Sequence, residues 1–177
     1  QHLTLKNIEN IYPLESKQFF KFSFIRNPFS RIASAYCEIM QYRKDLRDFL
    51  VIYKDSSFKK FLQLIKKNHH THWMPMNEFF PKKSMSFIGK FESFEEDLDN
   101  LGKLIGTKFS KKNSSESGNF SQEANYLAFY EDKENIELVS EIYKEDLNRF
   151  GYNFDDFIDF EKKEKKVKSL KPNIKLA

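Results

Sequence analysis

The stretch FKFSFIRNPFSRIASAY, residues 20–36, decides the fold, because it passes from strand to helix without a linker. Phe19 to Ile25 is an apolar run of strand length, and it stops at Arg26. Asn27 is a good N-cap, and Pro28 at the first helical position has the required φ and gives up an amide that would be orphaned anyway. The sequence therefore predicts a helix from Pro28 to about Tyr42. Ser34, Ser30 and Asn27 fall on one polar stripe of it, with Arg31 beside them, while Ile32, Ala35, Tyr36 and Ile39 face elsewhere, toward a core. Helical side chains lean toward the N-terminus, so Ser34 leans back toward the strand end that carries Arg26, where the helix dipole favours negative charge. An arginine fork with a hydroxyl suits a terminal phosphate: the fork supplies charge and paired donors, and the hydroxyl fixes orientation. The same residues also fit a plainer arrangement, with Arg26 closing the sheet through an ion pair and Ser34 in solvent.

Around this stretch lies about one domain's worth of chain, 177 residues with 40% hydrophobic content and an aromatic core supplied by 20 phenylalanines. The formal charge of +4 comes from interspersed signs, a weak argument for an anionic partner and none for nucleic acid. A lone cysteine, Cys37, excludes an internal disulfide and allows a reducing compartment. No apolar run has the length of a membrane span, and no charged-then-apolar leader opens the chain, so it reads as soluble. It starts at Gln1 already in helical spacing, which suggests that something precedes it.

Along the chain the pattern predicts a helix near His2 to Ile11, the strand and helix above, and one or two helices over Leu46 to Lys67. NHHTHWMPMNEFFPKKS, residues 68–84, reads as a loop, and Met85 to Ile88 as a short strand. Ser93 and Glu96 have capping-box spacing and open a helix to about Ile105. Residues 110–125 are polar and Ser-rich, a mobile loop. Lys133 to Phe150 reads as one long helix stopped by Gly151, and from Glu161 onward as a charged tail, giving a domain over 1–160 and a tail over 161–177. Helices separating short apolar strands favour an α/β layer fold with a parallel sheet. Phe22, Phe24 and Ile25 alternate poorly, as in a central strand buried on both faces.

FSFIRNPFSRIASAY, residues 22–36, resembles the 3′-phosphate-binding segment of the Golgi-type carbohydrate sulfotransferases and their bacterial relatives, the sulfotransferase family 2 group. The likeness continues in order. HWMPM at 72–76 is similar to the family's His-Trp or Pro-Gln loop, and SFIGKFESFEEDL at 86–98 to its strand and acidic helix, with Lys90 where arginine is usual. EIYKEDLNRFGY at 141–152 resembles its closing helix. The resemblance implies a P-loop-like α/β sandwich, the sulfuryl donor 3′-phosphoadenosine 5′-phosphosulfate (PAPS), a carbohydrate acceptor, and 3′-phosphate contacts at Arg26 and Ser34. It also implies His2 as a candidate catalytic base, matching a histidine upstream of the arginine in uronyl 2-O-sulfotransferases; the plain alternative is a water-exposed terminal histidine. His72 would line the acceptor or nucleotide cleft or simply pack its loop, and Glu92 would meet substrate hydroxyls or pair with a cation at the sheet edge.

One family element has no counterpart in these residues: the P-loop-like turn that cradles the 5′-phosphosulfate. GKLIGTK, residues 102–108, has its residues in the wrong order and follows a helix, so a helix C-cap explains it better. The chain accordingly reads as a sulfotransferase domain incomplete at its N-terminus, expected in the cytoplasm if bacterial, or in the Golgi lumen or at a membrane as part of a longer chain. His69, His70 and His72 do not make a metal site, because adjacent histidines project in different directions and no cysteine or well-spaced carboxylate joins them. A non-catalytic nucleotide- or glycan-binding remnant of the same fold is the alternative function, and a basic nucleic-acid binder the weakest.

Overall fold

The computed structural model describes residues 3–80, 84–109 and 125–170. Helix α1, Leu5–Ile11, is capped by Thr4, whose side chain accepts from the Asn7 amide. Strand β1 is Phe22–Ile25, shorter than the apolar run suggested, because pairing begins only where its partner strand runs alongside. Helix α2, Pro28–Tyr42, begins as the sequence dictates, with the Asn27 side chain accepting from the Phe29 amide and Pro28 inside the first turn. The next segment forms two helices, α3 (Lys44–Leu50) and α4 (Phe58–Ile65), the second capped by Ser57. A one-turn helix α5, Met76–Phe79, sits inside the expected loop.

Strand β2, Phe87–Lys90, runs parallel to β1 with Phe22 opposite Phe87 and Ile25 opposite Lys90, so a small parallel sheet flanked by helices confirms the α/β expectation. Space at Gly89 is tight. A Cβ at that position would lie 2.4 Å from the Phe24 ring, which packs edge-on against Phe87 and closely on Phe94. Phe22 is 48% exposed, contrary to the doubly buried reading, since among the described residues β1 pairs with β2 alone. Helix α6, Phe94–Ile105, follows β2 through a single 3-10 turn. Its expected capping box is not made: the Ser93 hydroxyl donates to Asp97 Oδ2 at 2.9 Å, and the same oxygen accepts the Lys90 amide at 2.7 Å, bolting the strand end to the helix. Gly106, at φ 71°, caps α6, and the Thr107 amide bonds the Gly102 carbonyl at 2.9 Å, so the GKLIGTK stretch is a helix end as expected.

The last expected helix is two, α7 (Lys133–Ile142) and α8 (Lys144–Phe150), broken at Tyr143, with Gly151 in the left-handed cap. Helix α9 then spans Phe154–Leu170, passing through the point where a charged tail was expected to start. Within the stretch expected as a charged tail, Glu161 is buried against α2; the loop expected at 110–125 lies, except for its last residue, outside the described residues. The main core gathers Phe29, Ile32 and Ile39 of α2, Phe61 and Leu62 of α4, Val139 and Tyr143, and Phe157 of α9. A smaller cluster of Leu5, Ile25, Phe80 and Tyr152 closes the sheet end. Helix α2, packed on both the strand junction and the core, is what fixes the site. No helix among the described residues is long and apolar enough to cross a membrane.

Candidate functional site

Arg26 stands where β1 ends and α2 begins. Its Nε donates to the Ser30 hydroxyl at 3.0 Å, one turn into α2, and its guanidinium lies 4.7 Å from the centre of the Phe91 ring. Burial lowers its pKa from the ordinary arginine value, while Tyr126, Glu161 and Glu92 nearby oppose that shift. Ser34, one turn further along α2, is half-buried, and Arg26 and Ser34 line one cleft of about 760 Å³.

The lining of that cleft combines apolar residues, among them Leu5, Ile8, Phe20, Phe80 and Met85, with the polar Arg31, Ser34, Glu38, Arg43 and His72. The structure thus brings three expected residues, Arg26, Ser34 and His72, to one cavity. Arg43 Nη1 approaches His72 Nε2 at 2.8 Å, and because a guanidinium can only donate, that nitrogen is the acceptor and the ring proton sits on Nδ1. Nδ1 in turn faces His70 Nδ1 at 3.2 Å, and the two rings stack with centroids 4.9 Å apart. Arg43 is itself anchored by a forked pair to Asp45, at 3.0 and 2.7 Å, which holds the Asp45 pKa down to about 2. His72 is therefore held in one orientation, with its basic nitrogen already engaged. His69 points elsewhere and pairs with Glu78 at 2.9 Å.

Glu92 is not among the residues lining the cleft. One carboxylate oxygen accepts the Asn27 amide at 2.8 Å and the other the Tyr152 hydroxyl at 2.7 Å, so it ties the β1–α2 junction to the chain after α8. The Asn27 side-chain amide adds a bond to the Asn153 carbonyl at 3.0 Å. These contacts make Glu92 a support for the residue next to Arg26. His2 lies outside the described residues.

Sequence reasoning missed the residues that hold the His72 loop. Arg31 Nη2 donates to the Met74 carbonyl at 2.8 Å, and the Tyr143 hydroxyl to the Trp73 carbonyl at 2.7 Å. Asp146 accepts the Met76 and Asn77 amides at 2.6 and 2.8 Å. With the Trp73 indole donating to the Asn68 carbonyl at 2.6 Å, the loop backbone is fixed from α2, from α8 and from within. A signal existed for Asp146. It sits at helical spacing from Val139, Tyr143 and Phe150, on an otherwise apolar stripe where an acid must find partners.

The sequence model of the sulfotransferase family matches residues 3–153, which takes in β1, α2, the His72 loop, β2 and α8. The chain belongs to that family, in the family 2 group, and is a transferase by class. No curated protein and no solved structure matches it.

Proposed function

We propose that this domain transfers the sulfuryl group of PAPS to a carbohydrate hydroxyl, with Arg26 and Ser34 gripping the 3′-phosphate of the nucleotide. The observation that carries the reading is the shared cleft: an arginine at the carboxyl end of a parallel strand and a hydroxyl one turn along from Ser30 on the following helix line the same cavity. Its volume, about 760 Å³, suits a nucleotide with part of an acceptor. Strand ends are where ligands bind in α/β sheets, and the start of α2 adds the positive end of a 15-residue helix. These residues fit the 3′-phosphate, and the bound donor would supply the activated sulfuryl group.

Each residue has a distinct part. Arg26 contributes a charge that burial leaves poorly solvated and thus receptive to an anion, and Ser34 contributes a hydroxyl for orientation. Arg43 and His72 line the same cleft as a fixed polar pair, and the proposal assigns them to the acceptor. In this proposal His2 takes the proton from the acceptor hydroxyl, the role that the resemblance to uronyl 2-O-sulfotransferases implies for it. The test is transfer of labelled sulfate from PAPS to a panel of uronate and hexosamine acceptors. Transfer that disappears in Arg26→Ala supports the proposal. Transfer undiminished in Arg26→Ala would overturn it, and nucleotide binding with no transfer to any acceptor even when a 5′-phosphosulfate turn is supplied upstream would favour the non-catalytic remnant.

A further inference from the structure

Helix α9 carries a run of charges, DDFIDFEKKEKK, residues 155–166, and one member behaves unlike the rest. Asp155, Asp156, Asp159, Lys162, Lys163, Lys165 and Lys166 are exposed and Glu164 half-exposed, whereas Glu161 is only 8% exposed. A buried carboxylate is costly without a partner, so its surroundings are informative. Glu161 Oε1 lies 3.4 Å from the hydroxyl of Ser30, a fully buried side chain. That hydroxyl also receives the Arg26 Nε–H at 3.0 Å. Arginine can only donate and serine has one hydroxyl proton, so the polarity is fixed: Arg26 donates to Ser30, and Ser30 donates to Glu161. Glu161 is also among the groups that support the Arg26 charge against burial.

We propose that Glu161 is the internal counter-ion of Arg26, relayed through Ser30, and that an anion binding at Arg26 must compete with it. This inference rests on the reading of Arg26 as a phosphate anchor. Helix α9 then sets the affinity of the site, although Glu161 lies beyond residues 3–153, the stretch shared with the family. The carboxylate keeps the buried guanidinium satisfied when no ligand is present, and its negative charge repels an incoming phosphate. Removing that charge while keeping the side chain's shape should tighten binding.

The test is a melting cycle on the full chain with Arg26→Ala, Glu161→Gln and the double variant, each with and without adenosine 3′,5′-bisphosphate, with Asp159→Asn as an exposed control. Without ligand, Arg26→Ala should lower the melting temperature by several degrees, and adding Glu161→Gln should recover at least half of that loss, because the stranded carboxylate is gone. With ligand, Glu161→Gln should bind about tenfold more tightly than the parent, seen as a larger ligand-induced shift, and the gain should vanish in the Arg26→Ala background. Asp159→Asn should bind within about twofold of the parent. Should the glutamine variant not fold, Glu161→Met, similar in volume and uncharged, gives the same readout. Additive losses in the ligand-free cycle would overturn the pairing. Unchanged or weaker ligand binding in Glu161→Gln, or a gain that survives Arg26→Ala, would overturn the competition. No ligand response in any variant, with coupling intact in the ligand-free cycle, would instead remove the phosphate-anchor reading and the competition, leaving the pairing relayed through Ser30.

Discussion

Asp146→Ala should be among the most damaging single changes in the chain. The carboxylate is 1% exposed and accepts two backbone amides, from Met76 and Asn77, at 2.6 and 2.8 Å. Hydrogen bonds to a charged acceptor are worth about 1.5–3 kcal/mol each, so the pair supplies about 3–6 kcal/mol. Part of this is offset by the cost of burying the charge, which raises the Asp146 pKa despite Arg31 and Arg149 nearby. A net loss of about 3–5 kcal/mol follows for alanine, since it strands two amides and leaves the two arginines without their carboxylate. Asparagine keeps one acceptor oxygen and should lose about 1.5–3 kcal/mol. Urea unfolding measures both, and amide exchange at Met76 and Asn77 should quicken in the same order. An alanine variant within about 1 kcal/mol of the parent, with those amides still protected, would refute the view that Asp146 holds the His72 loop.

Glu92→Ala removes the acceptor for the Asn27 amide and the Tyr152 hydroxyl, and should cost about 2–4 kcal/mol by chemical unfolding, with a loss below about 1 kcal/mol counting against its supporting role. Gly89→Ala places a methyl 2.4 Å from the Phe24 ring, so it should destabilise by about 1–3 kcal/mol, and an unchanged melting temperature would show that the ring yields freely. Burial, the leading cause in each case, raises the pKa of Tyr130, Tyr143 and Tyr152 above the ordinary phenol value. Their unfolded phenols ionise first, so this stabilisation is whole below about pH 10 and is lost as pH rises beyond it; melting temperatures measured up to strongly alkaline pH should stay level and then fall, and a level curve throughout would contradict this.

Helix α2 was legible to the residue because an Asn-Pro start and a continuous apolar period are local signals, and local signals are what a sequence displays. The break at Tyr143 was not, since Val139, Tyr143, Leu147 and Phe150 keep helical spacing across it and only the Tyr143 backbone itself, at φ −109° and ψ 24°, leaves the helical region. The grouping of Arg26 and Ser34 followed from one strand-helix junction. Glu92, Asp146 and Glu161 did not yield their roles, because each is defined by partners 60 or more residues away. Glu161 is the clearest case: within a run of lysines and acids it reads as solvent-facing, and its burial depends on Ser30, a residue 131 positions earlier.

The most direct test of the central claim, that Arg26 and Ser34 recognise a 3′-phosphate, compares two nucleotides differing only in that group. Calorimetric titration of the full chain with adenosine 3′,5′-bisphosphate and with adenosine 5′-phosphate should show the bisphosphate binding at least about tenfold more tightly, the worth of a charged hydrogen bond. Arg26→Ala should erase that preference, and Ser34→Ala should reduce it. Equal affinity of the parent for both nucleotides, or a preference that survives Arg26→Ala undiminished, would contradict the account.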